Sequence, residues 1–122
     1  MNRIPESIRD VIEQSIYLPM TITVLNLDLQ VVEKSPFKLK KPYIHVIEEA
    51  LKLAQKDLAE AKRSLRKWNV KVLRREQDEA FTLYSFFYKG YEEQHNYFNP
   101  RIRNKVSELI EHYLFEAKKP ST

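Results

Sequence analysis

Apolar positions early in the chain recur at three- and four-residue steps: Ile8, Val11, Ile12, Ile16, Met20, Val24, Leu27 and Val31. That period gathers side chains on one face of a helix, so a helix is expected from Pro5 to about Lys34. Pro5 suits the first helical position, where a missing N–H costs nothing. Pro19 lies inside the pattern, removes the bond to the Ser15 carbonyl and is expected to kink or split the helix. Ser35 to Lys41 reads as a short connection, with Lys38, Lys40 and Lys41 exposed. Pro42 then starts a second helix that runs to about Trp68. Its seam, Ile47, Leu51, Ala54, Leu58, Ala61 and Leu65, alternates four- and three-residue steps. Such a heptad seam, narrow and rich in Ala, lets another helix approach closely. The expected partner is the first helix folded back as an antiparallel hairpin; a parallel coiled-coil dimer is the alternative.

Beyond Trp68 the pattern changes. Asn69 tolerates the left-handed conformation that ends a helix, and Val70 and Val72 alternate with Lys71. After the charged run Arg74 to Glu79 comes Phe81 to Tyr88, dense in β-favouring aromatics. These features predict a β-hairpin over about 70–88. A third helix competes, because Phe81, Tyr84, Tyr88, Tyr91, His95 and Phe98 also fall at helical steps, and the turn lacks the Asn-Gly or Asp-Gly of tight hairpins. The last element is a helix with Asn99 as N-cap, Pro100 at its first position and one face of Ile102, Val106, Leu109, Ile110, Tyr113 and Leu114. The expected fold is α+β: a long antiparallel helical hairpin, one β-hairpin and a C-terminal helix. An all-α four-helix bundle is the alternative.

Composition narrows the chemistry. At 122 residues, 43% hydrophobic and 31% charged, the chain suits a single folded domain over 1–122. It has no Cys, so thiol nucleophiles, disulfides and Cys-ligated metals are excluded, and its single Gly excludes Gly-rich phosphate loops. No signal-peptide core is visible near the start. The longest apolar stretch, Ile16 to Leu27, is interrupted by polar residues and falls short of the roughly 20 residues of a bilayer span. A cytoplasmic protein with no membrane partner is expected.

The charge is unevenly placed. Residues 1–61 carry 8 bases and 9 acids, and residues 76–122 carry 6 bases and 8 acids. The net +4 therefore comes from Lys62, Arg63, Arg66, Lys67, Lys71, Arg74 and Arg75, seven cations in a stretch without an acid. Such a run suits an anion or nucleic-acid backbone, unless Glu76, Asp78, Glu79 or acids of the first helix neutralise it within the fold. Asn99, Arg101 and Arg103 form a second candidate anion site at a helix N-terminus, where the dipole disfavours cations and favours anions. Its alternative is pairing with Glu92 or Glu93 upstream.

The stretch Phe81 to Phe98 holds 8 of the chain's 14 aromatics. On a strand Tyr84, Phe86 and Tyr88 share one face and Leu83 and Phe87 the other. Core packing is the first reading, since a small α+β domain needs large side chains to fill its core; exposed, the first three are candidates for a partner surface or for base stacking. Glu92 and His95 would share a helix face as metal ligands, but the second such pair of di-iron bundles is missing. Glu108 with His112, and His45 with Glu48 and Glu49, are scattered pairs of the kind amphipathic helices carry. No nucleophile–base arrangement is recognisable, so no metal, no cofactor and no enzymatic activity are expected.

Gly90-Tyr91-Glu92-Glu93 and the run Tyr97-Phe98-Asn99-Pro100-Arg101-Ile102-Arg103-Asn104-Lys105-Val106 resemble the C-terminal signature of the YhjD-like family of Bacillus-type bacteria and their phages. The opening Ile4-Pro5-Glu6 and Ile16-Tyr17-Leu18-Pro19-Met20 are similar to its N-terminus. The resemblance implies a bacterial or phage cytosolic protein and transfers no site residue. The function expected is a non-enzymatic protein-binding module or adaptor that self-associates. The alternative is a nucleic-acid-binding accessory or regulatory protein using residues 62–75, holding the backbone rather than reading sequence.

Overall fold

A computed structural model describes residues 4–119. Helix α1 (Glu6–Glu33) is followed by α2 (Lys41–Lys67), strands β1 (Lys71–Gln77), β2 (Phe81–Tyr88) and β3 (Tyr91–Phe98), and helix α3 (Asn99–Ala117). The α+β class holds, and the all-α bundle is ruled out, because the aromatic stretch pairs as strands. The hairpin expected over 70–88 is part of a three-stranded antiparallel sheet of order β1-β2-β3.

The third strand arises from the chain's single glycine. Lys89 and Gly90 both take positive φ, 50° and 80°. That pair makes the mirror-image turn whose twist matches two antiparallel strands. β2 and β3 then pair without interruption from Phe81↔Phe98 to Tyr88↔Tyr91. Helical spacing of the aromatics was incidental: alternate residues, not every third or fourth, share a face.

Helix α1 is continuous through Pro19. Its face differs from the expected one, since each four-residue step overshoots a full turn by about 40°. Ile8, Ile12 and Ile16 are buried, but burial then moves to Leu18, Thr21 and Leu25, leaving Val31 67% exposed and Leu27 exposed as well. Among the described residues α1 is the one helix long and apolar enough to cross a membrane by length and composition. In this fold its buried residues form the core.

α2 packs antiparallel on α1 through the Ala-rich seam. Leu65 joins Ile12 and Ile16 at one end, while Ala50, Leu51 and Ala54 meet Leu25 at the other. Its C-terminus carries the paired bonds of a Schellman motif, Val70 N–H to Leu65 C=O at 2.8 Å and Asn69 N–H to Arg66 C=O at 3.1 Å. Asn69 takes the expected left-handed φ of 55°.

The inner face of the sheet carries Val72, Tyr84, Phe86 and Tyr97 and packs with Ile8, Ile12, Ile16, Ile102 and Val106. The outer face carries Leu73, Leu83, Phe87 and the tilted pair Phe81–Phe98. Tyr84, Phe86 and Tyr88 are therefore not a partner surface. Tyr84 and Phe86 are buried, Phe86 completely, and Tyr88 packs half-buried on the same cluster. Helices cover the face with the larger unbroken set of aromatics, and period-two alternation alone does not say which face that is.

Candidate functional site

Asn99 does not serve as N-cap. The cap position falls on Phe98 and has no side-chain hydrogen bond. Asn99 is buried and turned back onto the β1–β2 turn. Its Nδ2 donates to the carbonyls of Asp78 (2.8 Å) and Glu79 (3.1 Å), and its Oδ1 accepts the buried Thr82 hydroxyl at 2.7 Å. Its own N–H donates to the Ala80 carbonyl at 2.7 Å. Asp78 completes the turn by accepting the N–H groups of Phe81 and Ala80, which hold its carboxyl below the usual range. The candidate anion site at this helix start thus loses Asn99. Arg101 and Arg103 are exposed and form no ion pair among the described residues.

Glu92 and Glu93 serve other partners. Adjacent residues of β3 face opposite sides of the sheet. On the inner side Glu93 meets Arg9 at 3.5 Å and His95 at 2.9 Å. On the outer side Glu92 accepts the buried Ser85 hydroxyl at 2.6 Å and Arg75 at 3.3 Å. The Ser85 hydroxyl is the main cause that holds the Glu92 carboxyl below its usual range. Glu92 and His95, three apart on a strand, also face opposite ways and so do not form the metal pair that a helix would make. No group of three metal-binding side chains occurs among the described residues.

Of the seven cations in 62–75, Arg75 alone has an acidic partner among the described residues, Glu92. Its Nε donates to Ser85 at 3.0 Å, and its guanidinium lies 5.6 Å from the Phe87 ring. Arg74 reaches the Gln77 amide oxygen at 3.4 Å. Neither Glu76, Asp78 and Glu79 nor the α1 acids neutralise the run. Lys62, Arg63, Arg66 and Lys67 occupy the last turns of α2, and Lys71, Arg74 and Arg75 lie on β1; all seven are exposed. Lys62 and Arg74, twelve positions apart, border one groove over Ile16, Leu65, Val72 and Tyr84.

Two features were not anticipated from sequence. The first is a pair of half-buried tyrosine–carboxylate bonds: Tyr97 to Glu13 at 2.8 Å and Tyr113 to Asp57 at 2.6 Å. Burial, then the carboxylate, pushes both phenols above the ordinary tyrosine range; Tyr17, buried beside Glu13, is pushed up to about 12. These groups are poor proton donors and fasten helices to each other and to the sheet.

The second is an uncovered apolar groove along α2 and α3 at the end of the helices remote from the sheet. Its volume is about 590 Å3, and Val32, Tyr43, Ile47, Ile110, Leu114 and Phe115 line it. Tyr43 and Phe115 are each 55% exposed. Ser107, Glu111 and Lys118 supply its polar lining. An amphipathic pattern in α3 places Ile110 and Leu114 toward other helices, yet only tertiary structure shows that none of the described residues covers their outer flank.

Compared with known sequences, residues 3–118 match the family described as YhjD protein. The Uncharacterized protein YhjD of Bacillus subtilis (strain 168) is 54% identical over 115 residues, covering 94% of this chain and 96% of that relative. No solved structure matches.

Proposed function

The chain belongs to the YhjD protein family, and we propose that it acts as a non-enzymatic protein-binding module that self-associates through the groove between α2 and α3. The groove itself is the observation that carries this reading. Its lining is mostly apolar and is flanked by two exposed aromatic rings, Tyr43 and Phe115, which a protein partner would bury. Pairing of two identical copies requires a self-complementary patch. Glu111 on α3 and Lys118 at its C-terminal cap give each copy one charge of each sign beside the apolar strip. Sedimentation velocity across a wide concentration range is the test. A dimer that grows with concentration and is lost in Phe115→Glu supports the reading. A strict monomer, or a dimer indifferent to that substitution, contradicts it.

A second reading, nucleic-acid backbone binding, is favoured by the six cations of 62–75 that have no acidic partner among the described residues. Its binding to duplex DNA would fall with salt at a slope of about −0.9 per phosphate neutralised on a log–log plot. Fluorescence titration should show that decline, and Arg66→Ala/Arg74→Ala should weaken binding at every sequence tested. Absent or salt-insensitive binding overturns this reading.

A further inference from the structure

The link between α1 and α2 combines cations with exposed large apolar side chains. Between Glu33 and Glu48 the chain carries Lys34, Lys38, Lys40 and Lys41 and no acid. Interleaved with them, Phe37 is 51% and Leu39 75% exposed. Tyr43 follows, its ring 5.2 Å from that of Phe37. Among the described residues none of the four lysines forms an ion pair; Lys40 Nζ instead donates to the Glu33 carbonyl at 3.0 Å. Leu27 and Val31, on the last turns of α1, are also exposed.

We propose that this end of the helical hairpin is a contact site for an anionic lipid bilayer, with Phe37 and Leu39 entering the interface and the lysines meeting the headgroups. Binding to such a surface grows with the apolar area buried and with electrostatic attraction to anionic lipids, and both contributions are present within one short link. Charge decides the occupant. A second copy set tip to tip would oppose four lysines with four lysines, whereas an anionic leaflet attracts them. Such a surface contact needs no spanning segment, and α1, though long and apolar enough to cross a membrane, keeps its buried residues in the core. The site adjoins the groove used for self-association at Tyr43, but Phe37, Leu39 and the four lysines are not part of the groove lining.

Vesicle co-sedimentation tests the proposal, using phosphatidylcholine alone and phosphatidylcholine mixed with phosphatidylglycerol. The intact protein is expected to pellet with the anionic vesicles and stay in solution with the neutral ones. Each lysine near a charged surface is worth about fivefold in affinity, so Lys34→Gln/Lys38→Gln/Lys41→Gln should weaken binding on the order of a hundredfold. Phe37→Ser/Leu39→Ser, both at exposed positions, should also release the protein. Phe115→Glu should bind vesicles as the parent does, which separates this site from the dimer groove. The proposal is overturned by binding to neither vesicle, by equal binding to both, or by anionic binding that survives the triple substitution. Loss of vesicle binding in Arg66→Ala/Arg74→Ala with the triple variant unaffected would also overturn it, because the attraction would then belong to residues 62–75.

Discussion

Phe86→Ala is expected to destabilise the fold by about 4 kcal/mol, within the usual range for deleting a buried ring. Phe86 is 0% exposed. It stacks on His95 with ring centroids 4.8 Å apart and meets Tyr97 at 6.4 Å. Its removal opens a cavity where β2 packs on α1 and α3, in the cluster that includes Ile12, Ile16 and Ile102. A domain of this size has a total stability of about 5–15 kcal/mol, so the loss should lower the melting temperature by roughly 15 °C. Phe87, its neighbour on the outer face, provides the contrast. Phe87→Ala should cost less, about 1.5 kcal/mol, because the ring sits partly exposed on the outer face with Arg75 over it. Urea unfolding of the two variants checks the pair. If Phe87→Ala proved the more damaging, the sheet would be facing the other way.

Asn99→Ala should have the second largest effect, about 3 kcal/mol. The substitution leaves the Thr82 hydroxyl, only 2% exposed, without its acceptor. It also removes the donor to the Asp78 and Glu79 carbonyls. A buried polar group left unpaired costs about 1–3 kcal/mol. Asn99→Asp separates this clamp from the cap role that the sequence suggests. At an N-cap, Asp serves as well as Asn, and the helix dipole favours its charge. In the clamp, Asp keeps the acceptor for Thr82 but turns a carboxylate oxygen toward two carbonyl oxygens. Asn99→Asp should therefore be destabilised nearly as much as Asn99→Ala in thermal unfolding at neutral pH. A variant as stable as the parent would restore the cap assignment.

Much of the helical architecture is legible in the sequence because heptad and capping signals are local. The α2 seam, the Asn69 terminus and the boundaries of all three helices follow from residues within a turn or two of each other. The sheet is less legible. The turn that makes the third strand consists of Lys89 and Gly90, whose positive φ angles leave only the lone glycine as a signal. Without it, Glu92 and His95 read as helical neighbours rather than as residues on opposite faces.

Site assignments divide along the same line. The isolation of the 62–75 cations depends on where acids fall in space, and the one partner found, Glu92, comes from the unanticipated strand. The apolar groove depends on the absence of a covering element, which no pattern within one segment records. Asn99 is the sharpest case. Its position before Pro100 is that of a cap, yet a long-range hydroxyl and two carbonyls outcompete the local N–H groups for its side chain.

Self-association through the α2–α3 groove is open to direct test by sedimentation velocity of the parent chain beside Phe115→Glu over the same concentrations. The parent is expected to pass from monomer to dimer as concentration rises, and the variant to stay monomeric while melting at the parent's temperature. A parent that remains monomeric throughout, or a variant that dimerises equally well, would contradict it.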